Sequence, residues 1–127
     1  MPKKVQVEVT VSVSNASNGK LDIKIKPWRI HLDPGDTVEW VPVKRNGKTP
    51  VKWLRINTVA HTDPWPFDEA PPDQAYTGDD TKNAKTPHGR KSGLTVGSVV
   101  PYTIEIAFND TDGNERWSSV DPDMVMD

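Results

Sequence analysis

The sequence predicts an all-β fold, and three observations carry that expectation. Apolar residues recur at every second position in several short runs, Pro-Gly, Asn-Gly and Asp-Gly pairs separate those runs, and no run shows the 3.6-residue period of an amphipathic helix. About seven short strands joined by turns are the pattern of a β-sandwich. The length of 127 residues is that of one domain, and a hydrophobic content of 34% supplies a core without excess.

The first strand is the clearest. Val5, Val7, Val9, Val11 and Val13 alternate with Lys4, Gln6, Glu8, Thr10 and Ser12, so one face is apolar and the other polar. Asn18-Gly19 marks a tight turn. Leu21, Ile23 and Ile25 alternate with Asp22, Lys24 and Lys26 in a second strand, which Pro27 ends because proline has no N–H for a ladder. Ile30 and Leu32 begin a third, with His31 between them facing solvent. In Asp33-Pro34-Gly35-Asp36, proline presets φ and glycine accepts a positive φ, which is the chemistry of a type II turn. Val38 and Trp40 then share one face of a fourth strand. Lys44 to Lys48 form a polar turn, and Val51 to Ile56 a strand with Trp53 as its large residue. Trp40 and Trp53 are both expected in the core.

Alternation stops over residues 58–95, which hold five prolines and three glycines. A loop of that length in one domain is unusual and is usually either functional or disordered, with Thr77 to Ser92 its small, polar part. It resumes at Val100, Tyr102, Ile104, Ile106 and Phe108, and Asp112-Gly113 marks a hairpin. Arg116 to Val120 and Met124 to Met126 close the chain as one bent strand or two short ones.

The segment Ile30 to Trp40, read as strand, Pro-Gly turn and aromatic strand, resembles the corresponding stretch of the cupredoxin family, and the resemblance extends over the scaffold from Val5 to Trp40 and to the strand bearing Tyr102. It implies a Greek-key, cupredoxin-like β-sandwich. It also implies a copper ligand at His61, on the loop after the Trp53 strand. The remaining ligands would follow the strand from Val99 to Phe108, but Asn109 to Glu115 holds no Cys, His or Met. A blue-copper site needs a thiolate, and the chain has no cysteine at all. The family's scaffold is therefore expected without its copper.

Other chemistry has little to stand on. His31, His61 and His88 lack metal-ligand spacing. Asp110-x-Asp112-Gly113 resembles part of a calcium loop, but Phe108 and Ser119 stand where that loop needs acids, which leaves a hairpin turn. There is no Gly-x-Ser-x-Gly and no Gly-rich phosphate loop. No catalytic residue, cofactor or metal is expected. Lys44, Arg45, Lys48, Lys52 and Arg55 make a basic patch, but no stacking motif accompanies it, which argues against nucleic acid. No run of about 18 apolar residues suggests a membrane span. The N-terminus lacks an apolar signal region, so the expected location is the cytoplasm, the alternative being a secreted chain already trimmed and given a new Met. Residues 1–60 carry 11 Lys/Arg against 5 Asp/Glu, and residues 61–127 carry 5 against 13. That asymmetry allows charged association, including with a second copy.

Function is expected on the long loop. Trp65 sits between Pro64 and Pro66, beside Phe67 and close to His61. Proline fixes the backbone in advance, so these rings could be presented ready-made to a partner, or they could pack inward. The sequence reading is a non-catalytic module for protein–protein interaction or structure, with Trp65, Phe67 and His61 as partner-binding residues. The alternative is a small-ligand binder, for carbohydrate or a metal ion, using the 61–88 loop.

Overall fold

A computed structural model of the chain describes residues 2–13, 21–42, 51–59, 65–74, 84–109 and 112–127. The Asn18-Gly19 and Lys44–Lys48 turns and His61 lie outside the described residues. Ten strands follow in order: β1 (Lys4–Val13), β2 (Leu21–Lys26), β3 (Arg29–Leu32), β4 (Thr37–Pro42), β5 (Val51–Thr58), β6 (Asp73–Gln74), β7 (Ala84–Lys85), β8 (Val99–Asn109), β9 (Glu115–Val120) and β10 (Asp123–Met126). Among the described residues no helix is long and apolar enough to cross a membrane.

The strands form two mixed sheets. The smaller has the order β2-β1-β4-β7. Within it β1 runs antiparallel to β2, with Val9 opposite Ile25, and parallel to β4, with Val7 opposite Trp40. The larger has the order β3-β10-β8-β5-β6, with β9 also paired to β8. β10 takes Val99 to Pro101 of β8 and β9 takes Ile104 to Asn109, so the two succeed one another along a single edge of β8. The Asp121-Pro122 break between them settles the end of the chain as two short strands.

Alternation predicts the buried faces correctly. Val7, Val9 and Val11 of β1, Val38 and Trp40 of β4, Leu54 and Ile56 of β5, and Val100, Tyr102, Ile104, Ile106 and Phe108 of β8 belong to one buried cluster with Ile30, Leu32, Met124 and Met126. Trp40 and Tyr102 join the two sheets. Their rings meet edge to face at 5.7 Å, and the Trp40 indole N–H donates to the Tyr102 hydroxyl at 3.1 Å. Burial pushes the Tyr102 phenol pKa up, so it stays a neutral partner.

Two expectations need correction. Residues 58–95 are not without strands: β6 adds to β5 and β7 to β4. Two-residue strands carry no readable period. Trp53 is half-buried and stands outside the core cluster. A bulge between Val51 and Trp53 shifts the register, so that Val51 lies opposite Phe108 while Trp53 lies opposite Ala107. Val51 then serves the core and Trp53 turns to the outer face.

The Asp33–Asp36 turn forms as expected. Gly35 has φ +91°, and the Asp36 N–H closes the turn on the Asp33 carbonyl at 3.1 Å. The buried Asp36 carboxylate accepts the backbone N–H of Lys3 and of Asp33, each at 2.9 Å. Arg90 clamps the turn from outside: its N–H donates to the Asp36 carbonyl at 2.8 Å, and its carbonyl accepts from Gly35 N–H at 2.9 Å.

On the outer face Arg29 forks onto Asp123, with Nε to Oδ1 at 2.7 Å and Nη2 to Oδ2 at 2.9 Å, tying β3 to β10. The hydrogen bond and charge of Arg29 hold the Asp123 carboxyl below its usual range. A depressed carboxyl pKa stabilises the fold above the unfolded-state value, and the contribution disappears as pH falls through the folded one. Arg29→Gln should therefore lower the urea midpoint at neutral pH, and its difference from wild type should shrink steadily below about pH 4. A gap that stays constant down to the acid limit would contradict this coupling.

Candidate functional site

Of the three residues expected to bind a partner, the structure describes two, and neither is a free anchor. Phe67 is 3% exposed and belongs to the core cluster. Trp65 is partly buried against that cluster, 5.5 Å from the Phe67 ring. The segment is strapped to the one that follows β7, with Lys91 N–H donating to the Pro66 carbonyl at 2.8 Å and His88 Nδ1 donating to Glu69 Oε1. His88 holds the Glu69 carboxyl below its ordinary range. These contacts hold the two rings against the sandwich. Phe67→Ala should cost about 3 kcal/mol by leaving a cavity. An unchanged denaturation midpoint in that variant would return Phe67 to the surface.

His31 is exposed as expected, with Nδ1 3.2 Å from Asp127 Oδ1. His88 is exposed on its Glu69 contact. Among the described residues no three His, Asp or Glu side chains gather as a metal-binding group.

The better site lies on the outer face of the larger sheet. Leu54 of β5 and Ile106 of β8 point into the core, so their neighbours Trp53, Arg55, Glu105 and Ala107 point outward. Register sets these residues in rows across β5, β8 and β9. Trp53, Ala107 and Trp117 form one row; Arg55, Glu105 and Ser119 form the next. Adjacent strands are about 4.8 Å apart, so the Cα atoms of the two tryptophans are separated by about 10 Å. Ala107 between them is fully covered despite facing out, which its large neighbours account for.

Charged pairs bracket the two indoles. On one side Lys52 Nζ binds Glu115 Oε1 at 3.0 Å. Lys52 is the main reason the Glu115 carboxyl sits below its usual range, and the side-chain N–H groups of Trp117 and Trp53 add to it. On the other side Arg55 Nη1 lies 3.4 Å from Glu105 Oε2, and the Arg55 guanidinium lies 5.7 Å from the Trp117 ring centre. Arg55, Glu105, Trp117, Ser118 and Ser119 line an open groove of about 360 Å³. That volume falls within the range of small-ligand sites. Trp117 is 49% exposed.

Trp117 was not singled out by the sequence because its strand, Glu-Arg-Trp-Ser-Ser-Val, has no apolar alternation to place it on a face. The one available signal was a lone large aromatic in a polar strand. Its pairing across Ala107 to Trp53 is set by register and is invisible along the chain. No protein-family model matches the chain, and no curated protein matches it.

Proposed function

We propose that the chain is a copper-free, cupredoxin-like Greek-key sandwich acting as a non-catalytic recognition module, and that it recognises its partner through the outer face of the larger sheet. The carrying observation is the half-exposed Trp117 held beside Arg55 at the groove. Trp and Arg are the side chains most enriched where binding energy concentrates. Here both are fixed before a partner arrives, which lowers the entropy lost on binding. The charged groups at the groove are paired with one another, which suits holding a molecule rather than transforming it. Both functions read from the sequence, a protein partner and a small ligand, fit such a module; the sheet face replaces the 61–88 loop as the place of contact.

The test is retention on immobilised protein. Wild type, Trp117→Ala and, as a control for an exposed tryptophan elsewhere, Trp28→Ala are each exposed to extract of the source cells. Material retained by wild type and Trp28→Ala should be lost from Trp117→Ala, with all three proteins unfolding at similar urea concentrations. Equal retention by Trp117→Ala would refute the site.

A further inference from the structure

The geometry points to a neutral, linear polysaccharide as the occupant of this face, with two of its sugar rings stacked on Trp53 and Trp117. The inference rests on the recognition-module reading and adds the ligand class.

Four features of the face carry it. The first is shape. The indoles stand two strands apart with only a methyl group between them, so no ridge interrupts a flat chain laid across β5, β8 and β9. A pyranose ring offers an apolar C–H face for an indole, and the next available indole lies about two strand spacings away. The second is the rim. Sugar hydroxyls both donate and accept, and they need both kinds of partner near the plane of the stacked ring. Arg55 and Lys52 donate, Glu105 and Glu115 accept, and the Ser119 hydroxyl does either.

The third is charge. Lys52 is paired with Glu115 and Arg55 with Glu105, so the two cations and two anions around the rings cancel. A nucleic acid or sulfated polymer gains its affinity from unpaired positive charge, which this balanced face does not offer, whereas a neutral polymer needs none. The fourth concerns the competing protein partner. The outer edge of a strand such as β9 is where an extended peptide could add by main-chain hydrogen bonds. Arg116, however, shares the inner side with Phe108, and an inward charge on an edge strand is a device that blunts such pairing.

The experiment titrates the full chain with cellohexaose, xylohexaose and mannohexaose, following tryptophan fluorescence and heat. Maltohexaose, whose α-linkages curl the chain, and a heparin hexasaccharide serve as contrasts. At least one of the three β-linked hexaoses should bind with a dissociation constant below about 1 mM and at least about tenfold more tightly than either contrast. Trp117→Ala and Trp53→Ala should each weaken that binding by about tenfold or more, as loss of a central anchor does. Trp117→Phe, which keeps a stacking ring, should recover most of it, and Trp28→Ala should bind like wild type. Trp53 is half-buried, so Trp53→Ala counts only if its urea midpoint stays close to wild type; Trp117 carries the test alone otherwise.

The inference is overturned if none of the three β-linked hexaoses binds, if heparin binds better, or if binding survives Trp117→Ala. The two proposals fail separately. Should retention from extract depend on Trp117 while the retained material is destroyed by protease and untouched by glycosidases, the recognition face stands and the saccharide is wrong. Should retention not depend on Trp117, the face itself is wrong.

Discussion

Trp40→Ala should cost about 4 kcal/mol or more and leave the protein unfolded or nearly so at room temperature. Trp40 has no exposed surface and is the largest fully buried side chain. It sits on β4 against Tyr102 on β8, so it is packed by both sheets at once. Removing the indole opens a cavity that two hydrogen-bonded sheets cannot close by local movement, a loss of about 3–5 kcal/mol for a large aromatic. It also strips the Tyr102 hydroxyl of its buried donor, which adds a penalty of about 1–3 kcal/mol. Domains of this size are stable by only about 5–15 kcal/mol. Trp40→Phe separates the two contributions: it keeps most of the volume and loses the N–H, so it should cost clearly less than Trp40→Ala. Urea midpoints of both variants check the argument. Equal costs for the two would show that the hydrogen bond, not the cavity, dominates, and an unchanged midpoint for Trp40→Ala would contradict the core assignment.

Gly89→Ala should be nearly as damaging, more than about 3 kcal/mol, for a different reason. A Cβ at Gly89 would lie 2.1 Å from the Gly35 carbonyl oxygen and 2.4 Å from its carbon. The obstacle is backbone, and it is the backbone of the Asp33–Asp36 turn, which Arg90 and the Asp36 carboxylate already fix. Neither segment can retreat without breaking those bonds. Gly35→Val attacks the same junction from the other side. It forces a β-branched residue to φ +91° and brings its Cβ to 2.9 Å from the Pro2 ring, so about 1–3 kcal/mol is expected. Gly113 supplies the control. Its φ is +82° but nothing lies within 4 Å of an added Cβ, so Gly113→Ala should cost only about 1 kcal/mol of backbone strain. If Gly89→Ala and Gly113→Ala lowered the urea midpoint equally, the close contact between the two turns would be refuted.

The sequence was most informative where a physical period had room to repeat. The five valines of β1 and the Val100 to Phe108 run of β8 each alternate over nine residues, and both strands form, with Val7, Val9 and Val11 and the alternate residues from Val100 to Phe108 buried. The Gly35 turn was legible because its backbone conformation demands glycine. Nothing local encodes the partners of a strand, however. The parallel pairings of β1 with β4 and of β10 with β3 join segments far apart in the chain. The same limit applies to the site. Trp65 and Phe67 looked available because prolines surround them, but which side of a rigid segment meets the core is a tertiary fact. Trp53 looked like core because large aromatics usually are; a one-residue bulge turned it outward. Trp117 became significant only when the sheet register set it across Ala107 from Trp53.

The claim that recognition takes place on this face is tested most directly by 19F NMR of protein labelled with 5-fluorotryptophan. Its five tryptophans give separate probes at Trp28, Trp40, Trp53, Trp65 and Trp117. The fraction retained by the wild-type chain, eluted and added back, should shift or broaden the Trp117 and Trp53 resonances together and leave those of Trp28, Trp40 and Trp65 in place. A response centred on Trp65, with Trp117 and Trp53 unmoved, would contradict the account and return recognition to the loop.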